Sequence, residues 1–125
     1  VYRAGFATTQ AAYEEAFAQV FAMLDELEAR LSDGRDYLTG PRFTEADIRL
    51  FVTLIRFDVA YHGLFKCNLR RIADYPRLRA YTARILAIPG VSETVSIDHI
   101  KQGYYSIEAL NPNRIVPLGP ERALA

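Results

Sequence analysis

The segment Thr44-Glu45-Ala46-Asp47, followed by Ile48, Leu50, Phe51, Val52, Leu54, Ile55 and Phe57, constrains this chain more than any other. A threonine with an aspartate three residues later is the pattern of a helix N-cap box. Thr44 accepts from the Asp47 amide, and the Asp47 carboxylate reaches back to the Thr44 amide. The helix that follows is apolar nearly all round, the mark of a central, buried helix in a bundle. An aspartate carried into such an interior needs the donors of the box, because an ionised carboxylate without partners is costly to bury. Thr44 and Asp47 therefore read as a structural pair.

The remaining periodicity is helical as well. Tyr13, Phe17, Val20, Leu24, Leu27 and Leu31 alternate in steps of four and three, which places them on one stripe of a helix from about Thr9 to Leu31. Thr8 or Thr9 caps its start, and Asp33-Gly34 ends it. Glu14, Glu15, Glu26 and Glu28 fall off the stripe and are expected to face water. Around Tyr61-His62-Gly63 the central helix must end or bend. Asp74-Tyr75-Pro76 opens another helix, with Leu78, Tyr81, Ile85 and Leu86 inward, and Pro89-Gly90 stops it. One more helix, or a pair of short ones, fits Val91 to Tyr104, and repeated prolines from Asn111 onward predict an extended tail. There is no repeat and no β alternation. The expectation is an all-α helical bundle, one domain spanning residues 1–125.

Composition removes several classes of function. Fifteen basic and fifteen acidic side chains cancel, whereas a nucleic-acid binder carries a basic excess. No apolar stretch approaches the roughly 20 residues of a membrane span, and the start does not resemble a signal peptide. The single cysteine, Cys67, rules out an intramolecular disulfide and fits a reducing compartment, so a cytoplasmic location is expected. The chain opens Val1-Tyr2-Arg3 without methionine, as a processed product, a designed chain or a fragment of something longer would.

Few constellations can carry chemistry. His62, Cys67 and His99 are the only soft ligands, and no two lie one helical turn apart, so no metal is expected. The run Lys66, Arg70, Arg71 reads as a solvated face or a subunit contact before an anion site. Cys67 has cations near it in sequence, but a lone cysteine in a helical bundle is mostly an inert core residue. Tyrosine is the unusual residue: eight, with no tryptophan. Tyr13 and Tyr81 sit on core stripes, and Tyr75 precedes a helix start, so these three are packing residues. Tyr2, Tyr61 and Tyr104 lie outside the stripes. Three converging phenols can stack on an aromatic ligand and donate to its oxygens, although spacing alone does not bring them together.

The segment Leu38-Thr39-Gly40-Pro41-Arg42-Phe43-Thr44-Glu45-Ala46-Asp47 resembles the L-x-G-x-x-x-T-x-A-D signature of the helical C-terminal domain of glutathione transferases. Further stretches narrow the resemblance to the glutathionyl-hydroquinone reductases, a xi class related to the omega-like transferases. They are Val1 to Gln10, Ala46 to Phe51 with Arg56-Phe57-Asp58, Phe65-Lys66-Cys67-Asn68, His99-Ile100-Lys101 with Tyr104-Tyr105, Asn111-Pro112, and Ile115 to Pro120. The resemblance implies an N-terminal thioredoxin-like domain, absent from this chain, that binds glutathione and bears a cysteine in a Cys-Pro-Trp-type motif. It implies that this thiolate attacks the sulfur of a glutathionyl-hydroquinone, with a second glutathione as resolving co-substrate. It places the three tyrosines of the hydroquinone site on Tyr2, Tyr61 and Tyr104, and it implies a homodimer. Ala60 departs from the family pattern, which favours a bulkier residue before Tyr61. Cys67 matches a family position that is not the nucleophile, so this chain by itself is expected to be inactive. Two other readings stay open: an omega-like thiol transferase with another substrate, and a non-catalytic module for protein assembly.

Overall fold

The structure, a computed structural model, describes residues 1–124. The chain runs through a single turn α1 (Tyr2–Gly5), the long α2 (Gln10–Arg30), then α3 (Glu45–Arg56), α4 (Pro76–Leu86) and α5 (Ile97–Tyr105). A π-helical turn, Phe57–Tyr61, continues α3, and short 3-10 turns lie at Leu31–Asp33, Ile72–Asp74 and Ser92–Thr94. Among the described residues the only β-type pairing is an isolated bridge between Tyr37 and Gly40. The all-α bundle expected from the periodicity is what forms.

Each helix begins and ends where the local chemistry provides for it. The Thr9 hydroxyl accepts from the Ala12 amide at 3.1 Å and opens α2. At the other end Gly34 takes a left-handed φ of 86°, which costs a glycine little. The stripe of α2 is rotated from its expected setting. Ala16, Phe21, Leu24 and Leu31 are buried, while Tyr13, Phe17, Val20 and Leu27 are half-buried against the core. Val20 and Leu27 instead line a groove shared with Leu50 and Leu54 of α3.

Glu28 corrects the expectation that it faces water. Its carboxylate accepts from the amides of Arg77 at 2.9 Å and Leu78 at 2.8 Å. The first turn of α4 has unsatisfied N–H groups, and Tyr75 at its N-cap position offers no side-chain acceptor. Pro76 at the first helical position removes one donor, and Glu28 satisfies the next two from across the bundle. The carboxylate is thus a cap delivered by tertiary contact, which helical periodicity does not reveal.

Helix α3 also differs from the all-round buried helix its composition suggested. Asp47, Phe51, Leu54 and Ile55 form its buried face, whereas Ile48 and Val52 are 51% and 43% exposed. The capping box is present at its start. The Thr44 amide donates to Asp47 Oδ2 at 2.8 Å, and the Thr44 hydroxyl lies 3.4 Å from the same oxygen. The Asp47 amide itself meets the Thr44 carbonyl at 3.0 Å. Asp47 is wholly buried, and Oδ1 accepts two further bonds, from the Leu38 amide at 3.0 Å and from Tyr81 Oη of α4 at 2.7 Å. The carboxylate therefore holds the loop before α3, the first turn of α3, and α4 together.

Replacing Asp47 by alanine strands the Leu38 amide, the Thr44 amide and the Tyr81 hydroxyl in the interior. The expected loss is about 3–5 kcal/mol, and Tyr81→Phe should cost about 1–2 kcal/mol. Urea denaturation followed by circular dichroism measures both. An unchanged midpoint for Asp47→Ala would refute the role given to this carboxylate.

Candidate functional site

The path to the site begins where α3 changes pitch. The His62 amide donates to the Phe57 carbonyl at 2.9 Å, five residues back, and the widened turn keeps all of Phe57 to Tyr61 buried. Such turns are often found at functional sites because they re-aim the side chains that follow. Here Asp58 points to one side, where Oδ1 accepts from the Ile72 amide at 2.6 Å and Oδ2 from the Ala73 amide at 3.1 Å. Burial pushes its carboxyl above the usual carboxylate range, against the pull of the two amides. Tyr61 points to α5. The chain then doubles back through Lys66, whose φ of 58° is unusual for a residue with a side chain. That bend lets the Cys67 amide donate to the Tyr61 carbonyl at 3.1 Å.

Phe65, wholly buried inside this bend, is the floor on which the three tyrosines of interest assemble. Tyr61 stacks on it with ring centroids 5.1 Å apart, and Tyr2 and Tyr104 meet it edge-on at 5.1 and 5.8 Å. Tyr2 comes within reach because Gly5 lies against the same ring, and a Cβ on Gly5 would run into it. The three hydroxyls form one chain. Tyr2 Oη lies 2.6 Å from Tyr104 Oη, which lies 2.8 Å from Tyr61 Oη. Two hydrogen bonds use two of the three phenolic protons, so one remains for a partner outside the chain. Burial raises Tyr61 above the ordinary phenol range, as does its bond to Tyr104. Burial also raises Tyr2, opposed by the Tyr104-linked Tyr61 hydroxyl and by the nearby Arg56 cation.

Beside the trio lies a hollow of about 530 Å³, lined by Tyr2 and Tyr104 together with Val52, Arg56, His99 and Ile100 among others. Tyr61 does not line it. At 3% exposure it stands behind Tyr104. The structure thus brings Tyr2, Tyr61 and Tyr104 together and opens two of them to a space of ligand size.

The other candidates fall into packing roles. Tyr13 Oη donates to the Lys66 carbonyl at 2.6 Å, Tyr81 serves Asp47, and Tyr75 is buried with the Arg70 guanidinium 5.5 Å from its ring centre. Arg70 pairs with Asp25 and Arg71 with Asp74 at the surface. Cys67 is wholly buried, and burial raises its thiol, so it has little thiolate character near neutral pH. Among the described residues no group of three or more His, Cys, Asp or Glu side chains is placed to hold a metal ion. Sequence reading missed the turn α1, the anchoring role of Asp58 and the presence of Arg56 in the hollow. The Arg56-Phe57-Asp58 triplet was visible as a motif, but nothing in it announces a change of helical pitch.

A bundle organised on a capped central helix of this kind is the architecture of the glutathione S-transferase C-terminal domain. Residues 10–84 match the family model for the glutathione S-transferase C-terminal domain, and the chain belongs to that family. It is 56% identical over 125 residues to the glutathionyl-hydroquinone reductase PcpF of Sphingobium chlorophenolicum, covering 99% of this chain and 40% of that protein. It is 50% identical over 121 residues to the glutathionyl-hydroquinone reductase YqjG of Escherichia coli, covering 96% and 37%. Among solved structures, the glutathione-bound form of YqjG superposes with a TM-score of 0.94 at 48% identity, over 98% of this chain and 40% of that one. The xi transferase of Phanerochaete chrysosporium gives 0.93 at 48% identity, over 99% and 42%. The chain spans about two fifths of the length of these curated relatives. No described helix is long and apolar enough to cross a membrane.

Two outcomes follow from the buried groups. Cys67 should react with a disulfide reagent such as dithionitrobenzoate only when the protein unfolds, and rapid stoichiometric reaction of the native protein would contradict its burial. Asp58 should titrate above the ordinary carboxylate range by carbon-detected NMR. Because its folded pKa is raised, the native state holds the extra proton between the unfolded and folded values, so its contribution to stability declines as pH rises through that window. An Asp58 carboxyl titrating at or below the ordinary range would reverse that sign.

Proposed function

We propose that residues 1–125 are the substrate-binding helical domain of a glutathione-dependent reductase that converts glutathionyl-hydroquinones to hydroquinones. In this reading the reacting thiolate belongs to a cysteine of a thioredoxin-like domain outside the chain, which also holds glutathione. The thiolate attacks the substrate sulfur. A sulfur–sulfur bond forms, the ring carbon–sulfur bond breaks, and the ring carbon takes up a proton as the hydroquinone leaves. A second glutathione thiolate then attacks the mixed disulfide, freeing the cysteine and leaving as oxidised glutathione.

The observation that carries this reading is the chain of three phenolic hydroxyls, two of them on the wall of the hollow, with one proton to spare. Breaking an aryl carbon–sulfur bond is slow unless the ring can accept electrons or a proton. Donors fixed at the ring oxygens stabilise the charge that develops, an effect often worth about 3–4 kcal/mol for one donor. Tyr2 and Tyr104 face the ring in this scheme. Tyr61 acts through Tyr104, holding its hydroxyl in place. Cys67 has no part in the chemistry, and the domain alone is inactive. Relatives named as glutathionyl-hydroquinone reductases support the substrate class. Others are named omega-like transferases, and the phenol chain speaks against a non-catalytic assembly module, which has no reason to keep phenols around a pocket. A homodimer in a reducing, cytoplasmic setting completes the reading.

The test is made in the full-length protein with a glutathionyl-hydroquinone as substrate. Tyr104→Phe removes the central hydroxyl and both hydrogen bonds, and should lower turnover by about 10²-fold or more while the protein keeps its helical spectrum. Tyr2→Phe should also lower turnover, and Tyr61→Phe by less. Wild-type turnover in the Tyr104→Phe and Tyr2→Phe proteins would refute the assignment.

A further inference from the structure

We infer that Arg56 is the anion-selecting residue of the hollow, holding the ionised oxygen of a phenolic ring bound against Tyr2 and Tyr104. The inference rests on the reading of the hollow as an aromatic site and adds the class of aromatic it favours: phenols acidic enough to ionise near neutral pH.

Arg56 closes the last turn of α3, one residue before the π-helical turn, and lines the same hollow as the two open tyrosines. Its Nη1 donates to the Val52 carbonyl at 2.7 Å, an ordinary contact for a cation at a helix C-terminus. That bond orients the guanidinium and spends one of its five N–H donors. It does not neutralise the charge. Among the described residues no carboxylate lies within ion-pair distance of Arg56, and no aspartate or glutamate lines the hollow. The titratable groups facing the space are Tyr2 from α1, Arg56 from α3, and His99 and Tyr104 from α5, with Tyr61 behind Tyr104.

Guanidinium stays charged at every accessible pH, so Arg56 presents a cation to the hollow throughout. That cation already acts on the nearest phenol, since Arg56 draws Tyr2 down against the effect of burial. A ligand phenol in the same space meets the same cation. It also meets the spare proton of the tyrosine chain, a donor suited to an oxyanion.

The experiment uses the 125-residue chain and 4-nitrophenol, whose ionised form is coloured. The ionisation of the bound dye is read by absorbance against pH and compared with that of the free dye. The wild-type protein should bind the ionised form about tenfold more tightly, lowering the midpoint of the bound dye by about one pH unit. Arg56→Gln should abolish the shift, Arg56→Lys should keep most of it, and His99→Gln should leave it in place. Neutral 4-nitroanisole should bind wild type and Arg56→Gln alike, with far-ultraviolet circular dichroism reporting the fold of each variant. Dye that binds the wild type with its solution midpoint overturns the role of Arg56, as does an undiminished shift in Arg56→Gln; both leave the aromatic reading intact. Failure of both compounds to bind the wild type removes the aromatic site itself.

Discussion

A single buried carboxylate, that of Asp47, fixes the geometry on which the rest of this bundle depends. Its two oxygens accept from a loop amide, from the N-cap amide of α3 and from a tyrosine on α4, so three segments share one charged centre. Two other carboxylates work in the same manner. Glu28 of α2 caps α4, and Asp58 in the π-helical turn holds the amides of the Ile72–Asp74 turn. None of the three relies chiefly on a basic side chain. The ion pairs of the molecule are mostly exposed, as between Arg49 and Glu45, where solvent leaves them little weight. Cohesion between elements comes from apolar burial and from carboxylates placed on backbone amides, bonds stronger than those between neutral groups.

That arrangement runs directly into the site. Asp47 sets where α3 starts, and twelve residues of α3 set where its pitch changes. Asp58 holds one side of the widened turn, which leaves Tyr61 committed to the other. Phe65 and Gly5 then settle how close α1 can come, and with it Tyr2. The candidate face is thus the far end of a series of constraints that begins with helix capping.

What could be read from the sequence was what depends on neighbours along the chain. The caps at Thr9 and Thr44, the stop at Gly34 and the proline start of α4 are local, and each stands where the residues predicted. The residues that left the periodic pattern, Tyr2, Tyr61 and Tyr104, were legible as exceptions, and the structure joins their hydroxyls. What escaped depends on partners far away in sequence. Glu28 looks solvent-facing on its own helix because its partners are 49 and 50 residues distant. The exposure of Ile48 and Val52 depends on what covers α3, which a hydrophobic pattern does not encode. The pitch change at Phe57 has no composition signal, and so neither the inward turn of Asp58 nor the seclusion of Tyr61 from the hollow could be foreseen.

The bond between Tyr2 and Tyr104 links residues 102 positions apart. Closing a span of that length has an entropic cost, which grows only slowly with length and is met by the packing that brings α1 against Phe65. Movement of α1 away from Phe65 would break the phenol chain and open one wall of the hollow while Asp47 and the core around α3 stayed intact. Occupancy of the hollow by a ligand touching both Tyr2 and Tyr104 would tighten the two ends of the chain together, making ligand binding a report on local order rather than on global folding.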